Sequence, residues 1–316
     1  KVGDSLVTLS AYTLLDNIYT SLANKNDFPS LQHVTFAGFS AGGQMINRYA
    51  WASKVGRHAL TEMEQPSTNL PRVRFIVSDP SSFLYFSHHR PAPICRARLD
   101  TGSTHTCESF TIYTLIMPYD TPILETSLVV EEKDRLMALT NCREFDTWKY
   151  GTTLPANLHS ESYLKQFHEN PRLIAEYTQA YRYKDIRYVL GAWDSCNCEG
   201  EGYSNPPHCI LPIKSSIPSI PTSNNPTTTC CDTFPDSTNN DLSITCGSEL
   251  QGSNRLQRGL NYMSYLQHYF NKGMVGEGTN ISEENEVFVP VYAVVPELRH
   301  DCPAFFATSV VQEWAL

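Results

Sequence analysis

A serine stands in a sequence pattern that can make it a nucleophile. Residues Gly38-Phe39-Ser40-Ala41-Gly42 fit the pattern Gly-x-Ser-x-Gly, and chance predicts only about 0.07 such matches in a chain of this composition. The pattern requires a strand that runs into a helix, because the tight turn between them holds the serine in a strained backbone conformation. At the helix N-terminus the amide of Ala41 can donate to a developing oxyanion. We therefore expect nucleophilic chemistry at Ser40. The alternative is a helix start whose small residues only pack tightly.

A serine hydroxyl is a poor nucleophile until a histidine accepts its proton, and the histidine needs a carboxylate that fixes its tautomer. His300 follows the last predicted strand by five residues, which makes it the candidate base. Asp194 directly follows a predicted strand and is the favoured acid. Asp79 follows the preceding strand in the same way and is the alternative acid, although the Pro-Ser-Ser after it also suits a turn-forming aspartate. Asp301 is interpreted as a residue that stabilises the loop.

The elements that must position these residues alternate between helices and strands. Apolar periodicity predicts helices over 9–22, 161–168, 172–181, 256–270 and 303–315, another directly after Ser40, and strands over 33–39, 73–77, 186–190 and 286–295. Long connections between successive strands predict parallel pairing, hence an α/β fold with a mostly parallel sheet flanked by helices. The expected organisation is a core with the serine turn (1–79), a cap or lid insertion (80–184) and a second core part (185–316) that includes a disulfide-rich polar loop (195–247).

The cysteines indicate an oxidising compartment. Most of them lie in polar loops, where a free thiol gains little from burial, so we expect disulfides. The candidates are Cys95, Cys107, Cys142, Cys196, Cys198, Cys209, Cys230, Cys231, Cys246 and Cys302. A zinc site is the alternative, but the spacings lack the repeated CxxC pairs of structural zinc sites, and no metal is expected. Asn280 lies in a glycosylation sequon, which agrees with a secreted protein.

Composition and charge disfavour several classes of partner. The 316 residues carry a formal net charge of −9 and no cluster of basic residues, so nucleic acid is not an expected partner. The most apolar stretch, 287–295, is far shorter than the roughly 20 residues of a membrane-spanning helix, so no membrane span is expected. No sequence pattern indicates a cofactor.

Motifs along most of the chain together resemble a family of secreted α/β-hydrolases found in fungi, oomycetes, algae and plants. The residues that carry the resemblance are Phe28-Pro29, Gly38 to Gln44 with Arg48-Tyr49-Ala50, Pro80-Ser81-Ser82 with Leu84-Tyr85, Trp148 to Gly151, Gly191 with Asp194, Gln251-Gly252 with Arg255, Arg258-Gly259, and His300-Asp301. The resemblance implies an α/β-hydrolase fold and a triad of Ser40, Asp194 and His300. It implies no particular substrate.

These observations together predict a secreted serine hydrolase that works like a carboxylesterase or lipase on a small-molecule or lipid ester. The alternative is an inactive protein of the same fold with an extracellular structural or adhesion role. Because the serine-bearing strand of such folds is central, we also expect that N-terminal strands missing from this chain, from an upstream segment of the same precursor, pair with strand 33–39 and supply the second oxyanion amide.

Overall fold

In this computed structural model the chain is described over residues 9–56, 70–87, 90, 142, 144–154, 163–192, 194, 242–243, 245–249, 251, 255–271, 287–296 and 298–316. The described strands are β1 (His33–Phe39), β2 (Arg72–Ser78), β3 (Asp185–Gly191) and β4 (Val291–Val295). The described helices are α1 (Ala11–Leu22), α2 (Ala41–Ala52), α3 (Lys165–Glu169), α4 (Arg172–Tyr181), α5 (Cys246–Glu249), α6 (Arg255–Asn271), α7 (Cys302–Ala307) and α8 (Ser309–Ala315).

The four strands form one parallel sheet in the order β1-β2-β3-β4, which confirms the predicted α/β class and the parallel pairing. The register pairs Phe39 with Ser78, Ser78 with Val189, and Gly191 with Val295. The carboxyl ends of all four strands therefore meet at one edge, together with the residues that follow them. Within the described sheet β1 is an edge strand, and the neighbour expected on its other side is not among the described residues.

Alternation along the strands builds a core on each face of the sheet. Phe75 and Val77 of β2 lie in a large cluster with aromatic residues of α2 and α6, whereas Ile76 lies in a smaller cluster with Phe305 of α7 and Val311 of α8. Helices thus flank the sheet on both sides. The two described helices of the predicted insertion, α3 and α4, pack against the large cluster. Phe167 of α3, for example, stacks on Trp51 with ring centroids 4.8 Å apart.

Near the C-terminus, two predicted elements differ in their bounds. The last strand begins at Val291, because Pro290 has no N–H to donate and the side chains of Val287 and Val289 are 66% and 62% exposed. The predicted helix over 303–315 is broken at Thr308, which is extended and ends α7. Its hydroxyl then accepts from the N–H of Val311 in α8 (3.4 Å). Of the described helices, none combines the length and the apolar character that crossing a membrane requires.

Candidate active site

Ser40 occupies the turn between β1 and α2 in a backbone conformation that L-amino acids rarely adopt. Its φ is 54° and its ψ is −116°, a strain on the order of 1–3 kcal/mol. Two hydrogen bonds fix the turn: the Ser40 N–H donates to the carbonyl of Ser78 (2.9 Å), and the Ser40 carbonyl accepts from the N–H of Gln44 (2.9 Å). The sequence pattern thus folds into the predicted strand, turn and helix.

The glycines around Ser40 are required by close backbone contacts. A Cβ on Gly38 would lie 2.3 Å from the carbonyl oxygen of Gly42, and a Cβ on Gly43 would lie 2.5 Å from the carbonyl oxygen of Ser78. On Gly42, by contrast, a Cβ would meet none of the described residues within 4 Å. Gly38 and Gly43 therefore let α2 approach β1 and β2. The second glycine of the pattern, Gly42, is not required by a close contact.

His300 connects the serine to a carboxylate. Its Nε2 lies 2.9 Å from Ser40 Oγ, and its Nδ1 lies 2.7 Å from Asp194 Oδ2. The imidazole packs against the ring of Phe39, with centroids 4.5 Å apart, and Phe39 in turn packs on Phe305. With Nδ1–H donating to Asp194, Nε2 is left to accept the proton of the Ser40 hydroxyl, as general-base chemistry requires.

Asp194 is buried next to His300, and contacts of both its backbone and its side chain fix its position. Its N–H donates to the carbonyl of Gly191 (3.1 Å), and its carbonyl accepts from the N–H of Leu256 at the start of α6 (3.1 Å). Its Oδ1 lies 3.5 Å from a guanidinium nitrogen of Arg255, with both side chains fully buried. Of the two candidate acids, Asp194 is therefore the one that bonds to the histidine.

Asp79, the alternative acid, lies in the same cluster without bonding to His300. Its Oδ2 is 3.9 Å from His300 Nδ1, beyond hydrogen-bond distance, and its Oδ1 accepts from the N–H of Gly191 (3.3 Å). Its backbone has a positive φ of 42°, and its N–H donates to the carbonyl of Val189 (3.0 Å). Asp79 thus links the end of β2 to the end of β3 by hydrogen bonds, and it makes no hydrogen bond to His300.

The two carboxyls have opposite electrostatic environments. Burial, followed by the charge and hydrogen bonding of Asp194, raises the pKa of Asp79 well above its ordinary value. Burial would also raise the pKa of Asp194, but the hydrogen bond to His300 and the positive charge of Arg255 outweigh it and lower that pKa. At neutral pH Asp194 is therefore the ionised partner.

Among the described residues, Asp79, Asp194 and His300 form a group whose ligand atoms all lie within 4.8 Å of one another, so a metal ion could in principle be held there. However, His300 Nδ1 lies 2.7 Å from Asp194 Oδ2, a hydrogen-bond distance. A hydrogen bond from Nδ1–H to the Asp194 carboxylate accounts for this contact without a metal ion.

The remaining predicted residues have different outcomes. Ala41 is the first residue of α2, where helix N–H groups lack intrahelical partners. Asp301 caps α7 by accepting from the N–H of Ala304 (3.0 Å), which confirms its loop-stabilising role.

Cys302 is a free, exposed cysteine, so its inclusion among the disulfide candidates is wrong. Cys142 is buried and disulfide-bonded, with a partner outside the described side chains. The side chains of Cys95, Cys107, Cys196, Cys198, Cys209, Cys230, Cys231 and Cys246, and residue Asn280, lie outside the description.

Sequence reasoning gave no role to Arg255, which proves to be the buried cation beside Asp194. Its Nε also donates to Ser81 Oγ (3.2 Å), while Arg258, one turn further along α6, donates to the Ser81 carbonyl (2.6 Å). Both arginines fall on a helix face that is otherwise apolar and aromatic, and charged residues in such positions are rarely buried without a partner. That conflict between charge and pattern was the available signal.

No family model matches the chain, and neither a curated protein nor a solved structure matches it. The functional inference for this chain therefore depends on the geometry of its own residues.

Proposed function

We propose that this chain is a secreted serine hydrolase of the α/β-hydrolase type that cleaves carboxylic esters through an acyl-enzyme on Ser40. One observation carries the proposal: His300 lies 2.9 Å from Ser40 Oγ and 2.7 Å from Asp194 Oδ2 at the same time. The strained backbone at Ser40 supports it, because packing alone does not need this strain, and such conformations cluster at functional sites.

In the first half-reaction His300 Nε2 takes the hydroxyl proton while Ser40 Oγ bonds to the ester carbonyl carbon. In this proposal the amide of Ala41 at the start of α2 donates to the resulting oxyanion. The intermediate then collapses, the carbon–oxygen bond to the alcohol breaks, and His300 gives its proton to the leaving alkoxide. Asp194 stays ionised throughout and stabilises the imidazolium.

In the second half-reaction water replaces the alcohol. His300 accepts a proton from the water as the water oxygen attacks the acyl carbon, and the proton passes to Ser40 Oγ when the acyl–enzyme bond breaks. The products are the carboxylic acid and the free enzyme. The partly exposed Ser40 and His300 can meet a substrate, whereas both aspartates are buried.

The buried disulfide at Cys142 supports an extracellular location, because disulfides persist in oxidising compartments. The matching test counts free thiols in the denatured protein with and without prior reduction. A count that does not rise on reduction would contradict the proposed secretion.

Labelling by a fluorophosphonate probe tests the catalytic proposal, because this probe reacts with activated serines. We expect one adduct, mapped to Ser40 by peptide mass spectrometry, and none in Ser40→Ala. The control is Ser21→Ala, since Ser21 is exposed on α1 and should not affect labelling. A folded wild-type protein that takes no label, or a label that persists in Ser40→Ala, would favour the inactive structural or adhesion protein.

A further inference from the structure

Asp79 is a fully buried carboxyl that the proposed proton transfers do not use. Its Oδ1 accepts from the N–H of Gly191, but its Oδ2 has no hydrogen-bond donor among the described residues. That oxygen lies 3.9 Å from His300 Nδ1, and one ligand atom each of Asp79, Asp194 and His300 lie within 4.8 Å of one another. A buried carboxylate oxygen without a donor is costly, so its state needs an explanation.

The charges around Asp79 do not balance if both carboxyls are ionised. The charged and titratable groups that face it in the described part of the chain are Asp194, His300 and Arg255. In the proposed mechanism His300 begins as the neutral base, which leaves the guanidinium of Arg255 to balance two negative charges. Two carboxylates this close in a dry site do not both ionise, because burial and repulsion disfavour the second charge.

A proton on Asp79 resolves both difficulties. Two bare carboxylates can only accept hydrogen bonds, whereas a carboxylic acid donates one. We propose that Asp79 is a neutral carboxylic acid that donates a hydrogen bond to Asp194, so that the acid of the triad is a carboxyl–carboxylate pair and Asp79 is its positioning residue. The raised pKa of Asp79, caused by burial and then by Asp194, agrees with this assignment.

The pair has a mechanical consequence that rests on the proposed function. Asp194 accepts from Asp79, from Arg255 and from His300, so its carboxylate is held in one orientation toward the imidazole. A neutral donor does this without cancelling the charge that stabilises the imidazolium. The hydrogen bond also makes Asp194 less basic, which keeps the proton on the ring during turnover.

Infrared difference spectroscopy tests the protonation itself, independently of activity. At about pH 7, well above the ordinary aspartate pKa of about 3.9, we expect a carbonyl stretch of a neutral carboxylic acid that is lost in Asp79→Asn. The band should persist in Asp185→Asn, because Asp185 is ionised in its salt bridge with Arg74 (2.7 Å), and in the inactive Ser40→Ala. Absence of the band, its survival in Asp79→Asn, or one tightly bound metal ion per chain in place of the proton would overturn the proposal.

Two substitutions of Asp79 test its positioning role. Asparagine reproduces the pattern of a carboxylic acid, with an oxygen for the Gly191 N–H and an N–H for Asp194, whereas leucine has similar size and neither group. We expect Asp79→Asn to keep the fluorophosphonate labelling rate within about threefold and Asp79→Leu to lower it about tenfold or more, the value of one hydrogen bond to a charged group. Folding of both variants is checked by circular dichroism.

These outcomes separate the two proposals. Equal losses in the two folded variants would show that the hydrogen bond does not position Asp194. If wild type takes no label but the infrared band behaves as expected, the hydrolase proposal fails and the protonated pair stands. If wild type is labelled and the band is absent, the reverse holds.

Discussion

His300 Nδ1 lies 2.7 Å from Asp194 Oδ2, although 106 positions separate the two residues in the chain. The parallel pairing of β3 with β4 brings them together, because each residue belongs to the loop that follows its strand at the same edge of the sheet. Asp79 reaches that edge too, after β2, but its side chain is turned to the N–H of Gly191. The choice between the two acids therefore depends on loop geometry.

Asp194→Asn should lower esterase turnover by up to about 10⁴-fold while the protein stays folded. An asparagine amide can donate to Nδ1 and so stabilise the tautomer in which Nε2 carries the proton and cannot accept one, the effect of this substitution in serine protease triads. Hydrolysis of a chromogenic ester measures it, with Asp79→Asn as the matched change in the neighbouring carboxyl. If Asp79→Asn abolishes turnover and Asp194→Asn spares it, the assignment of the acid is wrong.

Gly38→Ala should prevent formation of the Ser40 turn, and Gly42→Ala should not. The new methyl group on residue 38 would lie 2.3 Å from a backbone oxygen, an overlap that costs about 1–3 kcal/mol or more. Alanine inside α2, by contrast, is preferred over glycine by about 0.5–1 kcal/mol. Urea unfolding followed by circular dichroism compares the two variants. Equal stabilities would mean that the close approach of α2 to β1 is not required.

Much of the fold was accessible from the sequence because apolar runs and turn signals are local. Strand 33–39 has its predicted bounds, and β2 and β3 each extend one residue further at both ends than predicted. The prediction of one continuous helix near the C-terminus was wrong at Thr308, which ends α7 and caps α8. Apolar periodicity alone does not distinguish one long helix from two short helices in succession. The bond from Ser40 to His300 followed from the order of motifs. The pairing of Arg255 with Asp194 did not, because it depends on how α6 lies across the ends of the strands.

Replacing Arg255 by methionine should destabilise the protein by about 3–5 kcal/mol at neutral pH, the usual cost of leaving a buried charge without its partner. The loss should be smaller at a pH below the lowered pKa of Asp194, because protonation of Asp194 then removes the charge that Arg255 balances. Urea unfolding at both pH values measures the difference. Arg187→Met is the control: its partner Asp185 is 38% exposed, and breaking such a pair costs at most about 1 kcal/mol. Equal effects of the two changes would contradict a buried charge pair at Asp194.

Cys302 should react with iodoacetamide in the native protein, because it is free and exposed at the start of α7. Cys142 should react only after reduction and unfolding, because it is buried and disulfide-bonded. Peptide mass spectrometry of the alkylated protein distinguishes the two sites, and Cys302→Ser provides the blank. Protection of Cys302 in the native state would indicate that another polypeptide or a disulfide covers it.

If Asp79 is protonated in the folded protein, wild type should lose stability relative to Asp79→Asn as the pH rises. Burial, together with Asp194, raises the pKa of Asp79 in the folded state, while in the unfolded chain it stays near about 3.9. Between these values the folded protein binds more protons than the unfolded one, so the free energy of unfolding falls with pH by up to about 1.4 kcal/mol per pH unit.

Asparagine does not titrate, so the unfolding free energy of the variant minus that of wild type should grow as the pH increases and level off above the folded pKa of Asp79. Asp194 acts in the opposite sense: its lowered pKa contributes stability above its unfolded pKa, and that stability is lost as the pH falls through the folded value, in both proteins. Urea unfolding between about pH 5 and about pH 8 covers the range in which only Asp79 differs. A difference that stays constant across this range would mean that Asp79 is already ionised in the folded protein, and the carboxyl–carboxylate pair would then have to be abandoned.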